Sequence, residues 1–576
     1  MVSSDDEAVN PGQPSSKVAN QERLIALGNA VDGRSVRATH RKPRSRRYKW
    51  VRRSIITVGL VIVLIAGGVV ADYYYLGSLV HHKPVRNLQP EVAGANVNIL
   101  LIGSTNRCAL KVQNPAYGLC SQGVTGINSD IVMIIHLDPT TGAVSLLSIP
   151  RDLFVPNARV IGANKIDAAL VEGPSQLVAA IEEDFAIPIN HYVELNFDTF
   201  ANVVNALGGV KMYFPTPIFD AESGLNITHP GCYQLDGYHA LQVVRARHLQ
   251  IQPNPSNHDR YSWPQEALSD LARIRRTHEF LRVLAARVAA RGLDNPITDQ
   301  HLATAVLPDL TVDTGFGEGE MVSLARTFAH TKIGNVPQLT YPVVEVETGS
   351  LLYQGYYYGD VEFPVQPTGL NIVDQIFGTA AGDSSFTNKP LPSPSSFPIS
   401  VVNGTGVASQ AALVTSQLRA KGFRVASGGN RTPDGVVDET VVWYGGPPPP
   451  AHGTWNSPAL ADAQAVFAQL QGPVILGYNP KEVTAGALVT VQTGTDVTVK
   501  ATPHTTKHKT ATSTTTTVAG GTTTTTVYDP PGVKTNNQFS APSSVNSALA
   551  PYDPRACNAA GTGPLLTTTT KPVKKK

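Results

Sequence analysis

The sequence has few cysteines, few charged residues and only one long hydrophobic run, and each shortage narrows the possible classes of protein. Only 4 cysteines occur among 576 residues, and their spacing forms no zinc-binding pattern. Charged residues make up 16% and hydrophobic residues 42%, so most of the chain can bury a core. The mean hydropathy of -0.07 excludes a polytopic membrane protein. The length predicts two to four domains with linkers, at about 100–200 residues per domain.

The small net charge of +2 conceals an acidic middle between two basic ends. Residues 54–500 contain 26 Lys or Arg against 37 Asp or Glu, whereas residues 1–53 contain 12 against 5 and residues 501–576 contain 8 against 2. A general nucleic-acid binder needs a basic surface, so we expect no nucleic-acid partner. A cluster of arginines inside the acidic part therefore indicates a specific anion site.

The one long hydrophobic run predicts a single membrane anchor. Residues 54–71 are uncharged and mostly apolar, and with the tyrosines that follow they give a helix long enough for a hydrocarbon core of roughly 30 Å. Eight Lys or Arg lie directly upstream of the run, within residues 41–53, and no acidic residue lies between Asp32 and Asp72. We therefore predict a transmembrane helix over 54–76 in contact with membrane lipid, a cytoplasmic N-terminus and an extracytoplasmic bulk. A cleaved signal peptide is the alternative, which the long basic region disfavours.

The remaining composition predicts two α/β domains joined by a linker. Short apolar runs such as 130–137 and 143–149 predict strands, and 174–185 and 198–209 predict helices, the second capped by Asp198. The predicted segments are a disordered basic segment 1–53, the helix 54–76, a stalk 77–96, an α/β domain 97–382, a Ser- and Pro-rich linker 383–397, a small α/β domain 398–500 and a disordered Thr-rich tail 501–576.

The cysteines suit a location outside the membrane, where disulfides persist. Cys108 and Cys120 are close enough in sequence to close one loop. The pairing of Cys232 and Cys557 is left open.

Three arginine clusters lie inside the acidic part of the chain. Arg151 and Asp152 follow a strand that Pro150 ends, at the edge where open α/β sheets bind ligands. An apolar stretch ends in Arg245 and Arg247, which point to one side if that end is extended. Arg273 and Arg276 are neighbours on a predicted helix over 269–291. The alternatives are a surface turn and a solvated basic face, but arginine's planar fork suits phosphate oxygens.

Seven short motifs follow one another in an order that resembles the LytR-CpsA-Psr family of cell-wall glycopolymer ligases. They cover roughly residues 97–292 and read NILLIGS, NSD, SIPRD, KIDAA, NALGGV, LDGYHALQVVRAR and D-x-x-R-x-x-R. Each motif alone is weak, and the seven in order are specific. Residues 398–487 resemble the LytR C-terminal domain that is often appended in actinobacterial members.

The resemblance implies a fold, a reaction and a set of site residues. The fold is a three-layer α/β/α sandwich with an apolar pocket for a polyprenyl chain. The reaction moves a glycopolymer from a polyprenyl-pyrophosphate carrier onto peptidoglycan through a phosphodiester. The implied residues are Arg151 and Asp130 as catalytic groups, Arg151, Arg245, Arg247 and Arg273 as pyrophosphate ligands, Arg276 in support, Asp130 on Mg²⁺, and Asp152 and Asp270 as partners that orient the arginines.

The sequence departs from the family pattern at several positions. Thr105 stands where the family has a second metal-binding aspartate, Asn128 where it has an arginine and Thr277 where it has a glutamine. Asp167 in the fourth motif is an additional carboxylate that would restore some negative charge. These departures keep a second hypothesis open, in which the protein binds the lipid-linked glycan or the cell wall as a non-catalytic scaffold or regulator. Transcription control through the basic N-terminus ranks lower, because no helix-turn-helix is predicted and the basic run is short. A purely structural wall protein leaves the seven ordered motifs unexplained.

Overall fold

The computed structural model describes residues 75–92, 94–110, 119–267, 269–291, 304, 307–328, 331, 336–345, 351–426, 429, 438–447, 457–501, 549–557 and 565–567. The predicted cytoplasmic segment 1–53 and residues 54–74 of the predicted transmembrane helix lie outside these ranges. Among the described residues, no helix has the length and apolar character needed to cross a membrane.

The first α/β region extends to β18 and contains most of the strands. Its strands are β1 (His81–Lys83), β2 (Val97–Ser104), β3 (Ser129–Asp138), β4 (Ala143–Ile149), β5 (Phe154–Arg159), β6 (Gly162–Lys165), β7 (His191–Leu195), β8 (Val210–Phe214), β9 (Ile218–Asp220), β10 (Leu225–Ile227), β11 (Gly231–Leu235), β12 (Gln250–Ile251), β13 (Thr311–Asp313), β14 (Gln338–Thr340), β15 (Val343–Glu345), β16 (Leu352–Tyr353), β17 (Tyr356–Tyr357) and β18 (Glu362–Gln366).

Eight helices are described along the chain. They are α1 (Pro174–Phe185), α2 (Phe197–Ala206), α3 (Gly237–Arg245), α4 (Ser269–Arg291), α5 (Glu318–Phe328), α6 (Thr368–Phe377), α7 (Gln410–Ala420) and α8 (Pro458–Phe467). The predictions of helices at 174–185 and 269–291 are confirmed. The predicted cap of α2 is wrong: the helix begins one residue earlier, and Asn196 Oδ1 accepts the N–H of Thr199 at 2.9 Å.

A seven-stranded mixed sheet forms the centre of the first region, in the order β1-β13-β7-β2-β3-β4-β14. Alternate residues of β2 face opposite sides of this sheet, as the pleat requires. Leu100 belongs to a buried cluster with Ile181 of α1, whereas Leu101 lines a groove with Leu241 of α3. The prediction of a mixed α/β fold with helices packed on a sheet is therefore confirmed.

The second α/β region shares a sheet with the first. Its strands are β19 (Pro398–Asn403), β20 (Arg424–Val425), β21 (Thr440–Tyr444), β22 (Leu470–Tyr478), β23 (Val489–Thr493) and β24 (Thr498–Val499), followed near the C-terminus by β25 (Arg555–Ala556) and β26 (Leu565–Thr567). The shared sheet runs β15-β18-β22-β21-β23-β19-β20. Here β18 from the first region pairs antiparallel with β22 from the second. The two predicted domains are thus joined by backbone hydrogen bonds.

Three segments that the sequence analysis treated as unpacked contribute to the packed structure. In the predicted stalk 77–96, β1 joins the central sheet because it pairs with β13. In the predicted linker 383–397, Ser384 is buried and donates a hydrogen bond to Gln464 at 2.6 Å. The prediction of a wholly disordered tail 501–576 is wrong for residues 549–557, where β25 pairs with β8.

Proline and cysteine residues fix two further features. Pro342 separates β14 from β15, which belong to different sheets. The predicted Cys108–Cys120 disulfide is confirmed. A second disulfide joins Cys232 on β11 to Cys557 and attaches the C-terminal segment to the first region.

Candidate functional site

Asp130 and Arg151 meet at one edge of the central sheet because of strand register. In the antiparallel pair β3–β4, Val132 lies opposite Ile149. Continuing this register places Asp130 opposite Arg151, directly after Pro150 ends β4. The guanidinium of Arg151 donates a hydrogen bond to the carboxylate of Asp130. The prediction that Pro150 ends this strand is confirmed. The ends of β3 and β4 bring the predicted site residues Asp130 and Arg151 into contact.

Two aspartates contact Arg151, Arg247 and Arg273 and hold their guanidinium groups in place. Asp152 Oδ2 lies 3.3 Å from Arg151 Nε and 3.0 Å from Arg247 Nη2. Asp270 Oδ1 lies 3.4 Å from Arg151 Nε, 3.2 Å from Arg247 Nε and 3.1 Å from Arg273 Nη2. The prediction that Asp152 and Asp270 orient the arginines is therefore confirmed.

The charges of this network influence one another. Burial alone would lower the pKa of Arg151, but the carboxylates of Asp130, Asp152 and Asp270 raise it above its ordinary value. Burial raises the pKa of Asp270, an effect that Arg273 and Arg151 oppose. Arg151 thus remains a fixed positive charge, held in place by partly buried partners.

Arg273 and Arg276 lie on the inner face of α4. Arg273 Nη2 donates to the backbone oxygen of Asp130 at 2.8 Å, and its residue is 4% exposed. Arg276 is fully buried, donates to the carboxylate of Glu266 and donates to the backbone oxygen of Ala246 at 2.6 Å. The alternative of a solvated basic face is excluded. Arg276 supports the site from inside and cannot reach a ligand in this arrangement.

Arg245 and Arg247 flank the end of α3. The expectation of an extended end is wrong up to Arg245, which is the last helical residue, and only Ala246 leaves the helix in an extended conformation. Arg245 lies over the ring of Phe197 at 5.0 Å from its centroid and lines a groove. Arg247 instead joins the network of Asp152 and Asp270.

A mainly apolar groove of about 690 Å³ begins at these charged groups. Its walls come from the strand face opposite α1 and from α2, α3 and α4. Its lining comprises Leu101, Gly103, Ser104, Asp130, Ile131, Met133, Leu195, Asn196, Phe197, Phe200, Leu241, Val244, Arg245, Arg273, Thr277 and Leu281. The groove thus presents an apolar surface beside Asp130, Arg245 and Arg273, which suits a ligand with an apolar chain and an anionic head.

Residues 75–363 match the LytR_cpsA_psr family, which is a match over half of the chain. The chain belongs to the LytR-CpsA-Psr family. Residues 396–496 match a second family, described as LytR cell envelope-related transcriptional attenuator. The resemblance inferred from the seven motifs is confirmed.

Several curated proteins are similar to this chain. A probable cell wall biosynthesis protein LcpB of Corynebacterium glutamicum is 33% identical over 252 residues, which are 43% of this chain and 55% of that protein. The cell wall biosynthesis protein LcpA of the same organism is 25% identical over 68% of this chain and 79% of its own length. A protein of Oceanobacillus iheyensis named polyisoprenyl-teichoic acid–peptidoglycan teichoic acid transferase TagU is 29% identical over 39% of this chain and 70% of its own length.

Solved structures of LytR-CpsA-Psr proteins are also similar in part. The LytR-Csp2A-Psr enzyme from Actinomyces oris has 22% identity and a TM-score of 0.38, over 46% of this chain and 87% of that one. TagT bound to LI-WTA has 20% identity and a TM-score of 0.35, over 51% of this chain and 97% of that one. TM-scores of this size do not support comparison of individual residues.

The positions that depart from the family pattern have local structural roles. The hydroxyl of Thr105 donates to the backbone oxygen of Asn128 at 3.2 Å and accepts its N–H at 3.0 Å. Thr277 donates to the backbone oxygen of Arg273 at 2.9 Å. Burial raises the pKa of Asp167 to about 7 against the opposing effect of Arg151, so Asp167 adds only part of a full negative charge near neutral pH.

These contacts decide how the family's magnesium ion fits the site. Mg²⁺ is commonly bound by one or two carboxylates together with substrate phosphates and water. Asp130 meets this requirement as one carboxylate at the mouth of the groove. Thr105 does not fit as a second ligand, because its hydroxyl already donates to and accepts from the backbone of Asn128.

The sequence analysis missed several residues of the network. Lys165 donates to Asp152 Oδ1 at 2.9 Å, and its place in the fourth motif was the available signal. Glu266 and Asp553 accept from Arg275, at 2.9 Å and 2.5 Å. Glu266 lies in the loop between β12 and α4, and Asp553 lies in the C-terminal segment. The sequence carries no local signal that either segment packs against α4.

A buried histidine on α4 predicts acid sensitivity of the site. His278 Nε2 lies 2.7 Å from Ser148 Oγ, and burial, with a contribution from Arg282, lowers the pKa of His278 to about 4. The folded state therefore binds fewer protons than the unfolded state, and stability is lost as the pH falls from about 6.5 toward 4. We expect denaturant titrations to show a loss of about 3 kcal/mol from this residue over that window.

The variant His278→Gln tests the origin of this loss. Burial also lowers the pKa of His136 to about 4, so the wild-type profile contains both contributions. We expect His278→Gln and His136→Gln each to flatten part of the profile. An unchanged slope in His278→Gln would contradict the assignment.

Proposed function

We propose that this protein is a membrane-anchored, extracytoplasmic phosphotransferase that moves a glycopolymer from a polyprenyl-pyrophosphate carrier onto peptidoglycan. The observation that carries the proposal is the convergence of Asp130, Arg151, Arg247 and Arg273 at the mouth of the apolar groove. Family membership and the transferase names of relatives support it. The predicted helix 54–76 would provide the anchor.

The proposed substrate complements the site in both polarity and charge. The polyprenyl chain occupies the apolar groove, where burial of its hydrocarbon surface favours binding. The pyrophosphate lies at the mouth, where Arg245 faces the groove and Arg151, Arg247 and Arg273 are fixed nearby. Arginine offers paired N–H donors that match phosphate oxygens. Asp152 and Asp270 keep these donors in place, so little reorganisation accompanies binding.

The proposed reaction exchanges a phosphoanhydride bond for a phosphoester bond. A peptidoglycan hydroxyl oxygen bonds to the phosphorus that carries the glycan, and the bond from that phosphorus to the bridging oxygen breaks. Polyprenyl phosphate leaves, and the hydroxyl proton passes to solvent or a nearby carboxylate. Negative charge grows on the leaving phosphate, where preorganised arginines stabilise it without reorganisation. Asp130 would also hold a Mg²⁺ ion, which would supply further positive charge to the phosphates.

A transfer assay with the full-length chain tests this function. The protein is mixed with a polyprenyl-pyrophosphate glycan and peptidoglycan oligomers, with and without Mg²⁺, and products are identified by mass. We expect a Mg²⁺-dependent phosphodiester product that falls about 10²-fold or more in Asp130→Asn. Asp138→Asn, at the opposite end of β3, is a matched carboxylate control outside the groove.

The second candidate function is a non-catalytic scaffold that binds the same lipid-linked glycan. Thr105 favours the scaffold function, because a threonine that is hydrogen-bonded to Asn128 stands where the family has a metal-binding carboxylate. Binding of the lipid without any transfer product, in the presence of Mg²⁺ and acceptor, would establish the scaffold and reject the transferase.

A further inference from the structure

Three side chains of metal-ligand type meet at the end of β7 that is remote from the arginines. His191 Nε2 lies 2.7 Å from Glu91 Oε1 and 3.5 Å from Glu320 Oε1. The ligand atoms of these three residues all lie within 4.8 Å of one another. At the other end of β7, Leu195 lines the groove, about 13 Å away at the usual rise per strand residue.

A buried carboxylate fixes the orientation of the histidine. Asp313 Oδ2 lies 3.1 Å from His191 Nδ1 and also accepts the N–H of Tyr192 at 3.0 Å. The other oxygen of Asp313 accepts the N–H groups of Gly315 and Phe316 at 2.7 Å and 3.0 Å. Asp313 therefore holds a proton on Nδ1, and a bound metal ion would take the place of the proton between Nε2 and Glu91. Metal-binding histidines typically have such a carboxylate on their second nitrogen.

The histidine ring is also fixed by packing. It is 4% exposed and stacks on the ring of Phe316, with centroids 4.1 Å apart and planes 20° apart. The two glutamates are partly exposed, so an ion has access from solvent. The ring is thus held rigidly while the glutamates retain freedom to close around an ion.

We propose that Glu91, His191 and Glu320 form a binding site for a divalent transition-metal ion, with Zn²⁺ as the best match. Ligands at about 2.0–2.2 Å from a tetrahedral Zn²⁺ lie roughly 3.4 Å apart. The 3.5 Å between Nε2 and Glu320 Oε1 matches this spacing, whereas the 2.7 Å between Nε2 and Glu91 Oε1 would lengthen when an ion enters between them. A nitrogen ligand favours Zn²⁺ over Mg²⁺ and Ca²⁺, which prefer oxygen ligands. The fourth position is left for water.

The site would join three segments that are distant in sequence. Glu91 precedes β2, His191 begins β7 and Glu320 lies in the first turn of α5. A bound ion would clamp the segment before β2 onto the central sheet. This role is independent of the proposed transferase, because none of the three residues contacts the arginine network in the described structure.

Metal titration of the full-length chain tests the site directly. The chelator-treated protein is titrated with Zn²⁺ against a chromophoric competitor, and Co²⁺ absorption reports the coordination geometry. An Asp130→Asn background removes any ion held by the transferase site. We expect one tight Zn²⁺ per chain, a tetrahedral Co²⁺ spectrum and a loss of affinity of at least about 10-fold in Glu320→Gln and in Asp313→Asn.

Matched variants separate the metal site from a simple ion pair. Glu222 pairs with His248 at 3.3 Å on an exposed surface, so Glu222→Gln is expected to leave Zn²⁺ affinity unchanged. Glu91 and Glu320 are partly exposed, and the double variant Glu91→Gln/Glu320→Gln is expected to fold. Failure of the wild type to bind stoichiometric Zn²⁺, or equal affinity in this double variant, would reduce the cluster to an ion pair and overturn the proposal.

Discussion

Replacing Arg151 with alanine is expected to abolish binding of the polyprenyl pyrophosphate and to lower the transfer rate by about 10²–10³-fold. Arg151 is the arginine that contacts Asp130, Asp152 and Asp270 together, so its loss removes a phosphate donor and the guanidinium that pairs with the Asp130 carboxylate. The Asp130 carboxylate then repels the anionic substrate. Binding of the lipid and formation of the phosphodiester are measured on the same preparation.

Two further variants distinguish the site from general charge effects. Arg151→Lys keeps the positive charge but loses the planar fork, and we expect it to recover only part of the activity. Arg159→Ala removes an arginine that pairs with Glu172 away from the groove, and we expect normal binding and transfer. Arg245→Ala is expected to lose lipid binding as well, because Arg245 lines the groove. Normal binding in both Arg151→Ala and Arg245→Ala would reject the site.

The central part of the fold was predictable because local sequence and tertiary packing agree there. The run 143–149 is apolar and ends at Pro150, so its strand bounds match the structure residue for residue. Helix α4 has an apolar stripe at helical spacing, and its bounds match as well. Where the apolar residues that pack in the core also repeat at strand or helix spacing, their periodicity alone is sufficient to predict the element.

The arrangement of the two α/β regions was not predictable in the same way. The strand β18 lies in the first region by sequence, but its partner β22 lies about a hundred residues later. Composition indicates a boundary at the Ser- and Pro-rich segment 383–397, yet Ser384 and Ser385 are buried there. Backbone pairing between distant segments leaves no periodic signal, which is why the sheet that the two regions share was not predicted.

The candidate site shows the same division. Arg151, Asp130, Arg247 and Arg273 were identified from motifs, because each follows or begins a regular element whose register brings them together. The burial of the arginines on α4 was not predicted from the sequence. Arg273 and Arg276 were placed on the surface of the helix, and Arg276 is fully buried. The partners that make this burial tolerable come from segments with no local signal.

Replacing Arg276 with methionine is expected to lower the free energy of unfolding by about 3–5 kcal/mol. Arg276 neutralises Glu266, whose side chain is 1% exposed, and lies 3.9 Å from Asp553, whose side chain is fully buried. Removing the arginine leaves these carboxylates with Arg275 as their described basic partner in the interior. Denaturant unfolding of the full-length chain measures the loss.

A matched substitution on the same helix calibrates this result. Arg282 pairs with Glu279 and its side chain is 45% exposed, so Arg282→Met is expected to cost less than about 1 kcal/mol. Equal stability of Arg276→Met and Arg282→Met would show that the buried network contributes little.

The same variant separates support from direct binding. Arg276 holds the backbone oxygen of Ala246, which lies between Arg245 and Arg247. If Arg276 acts only by fixing this turn, Arg276→Met weakens lipid binding only in part at low temperature, where it is still folded, whereas Arg151→Ala abolishes it. Loss of binding in folded Arg276→Met, equal to that in Arg151→Ala, would instead require Arg276 to reach the pyrophosphate, and the turn at Ala246 would have to open for it to do so.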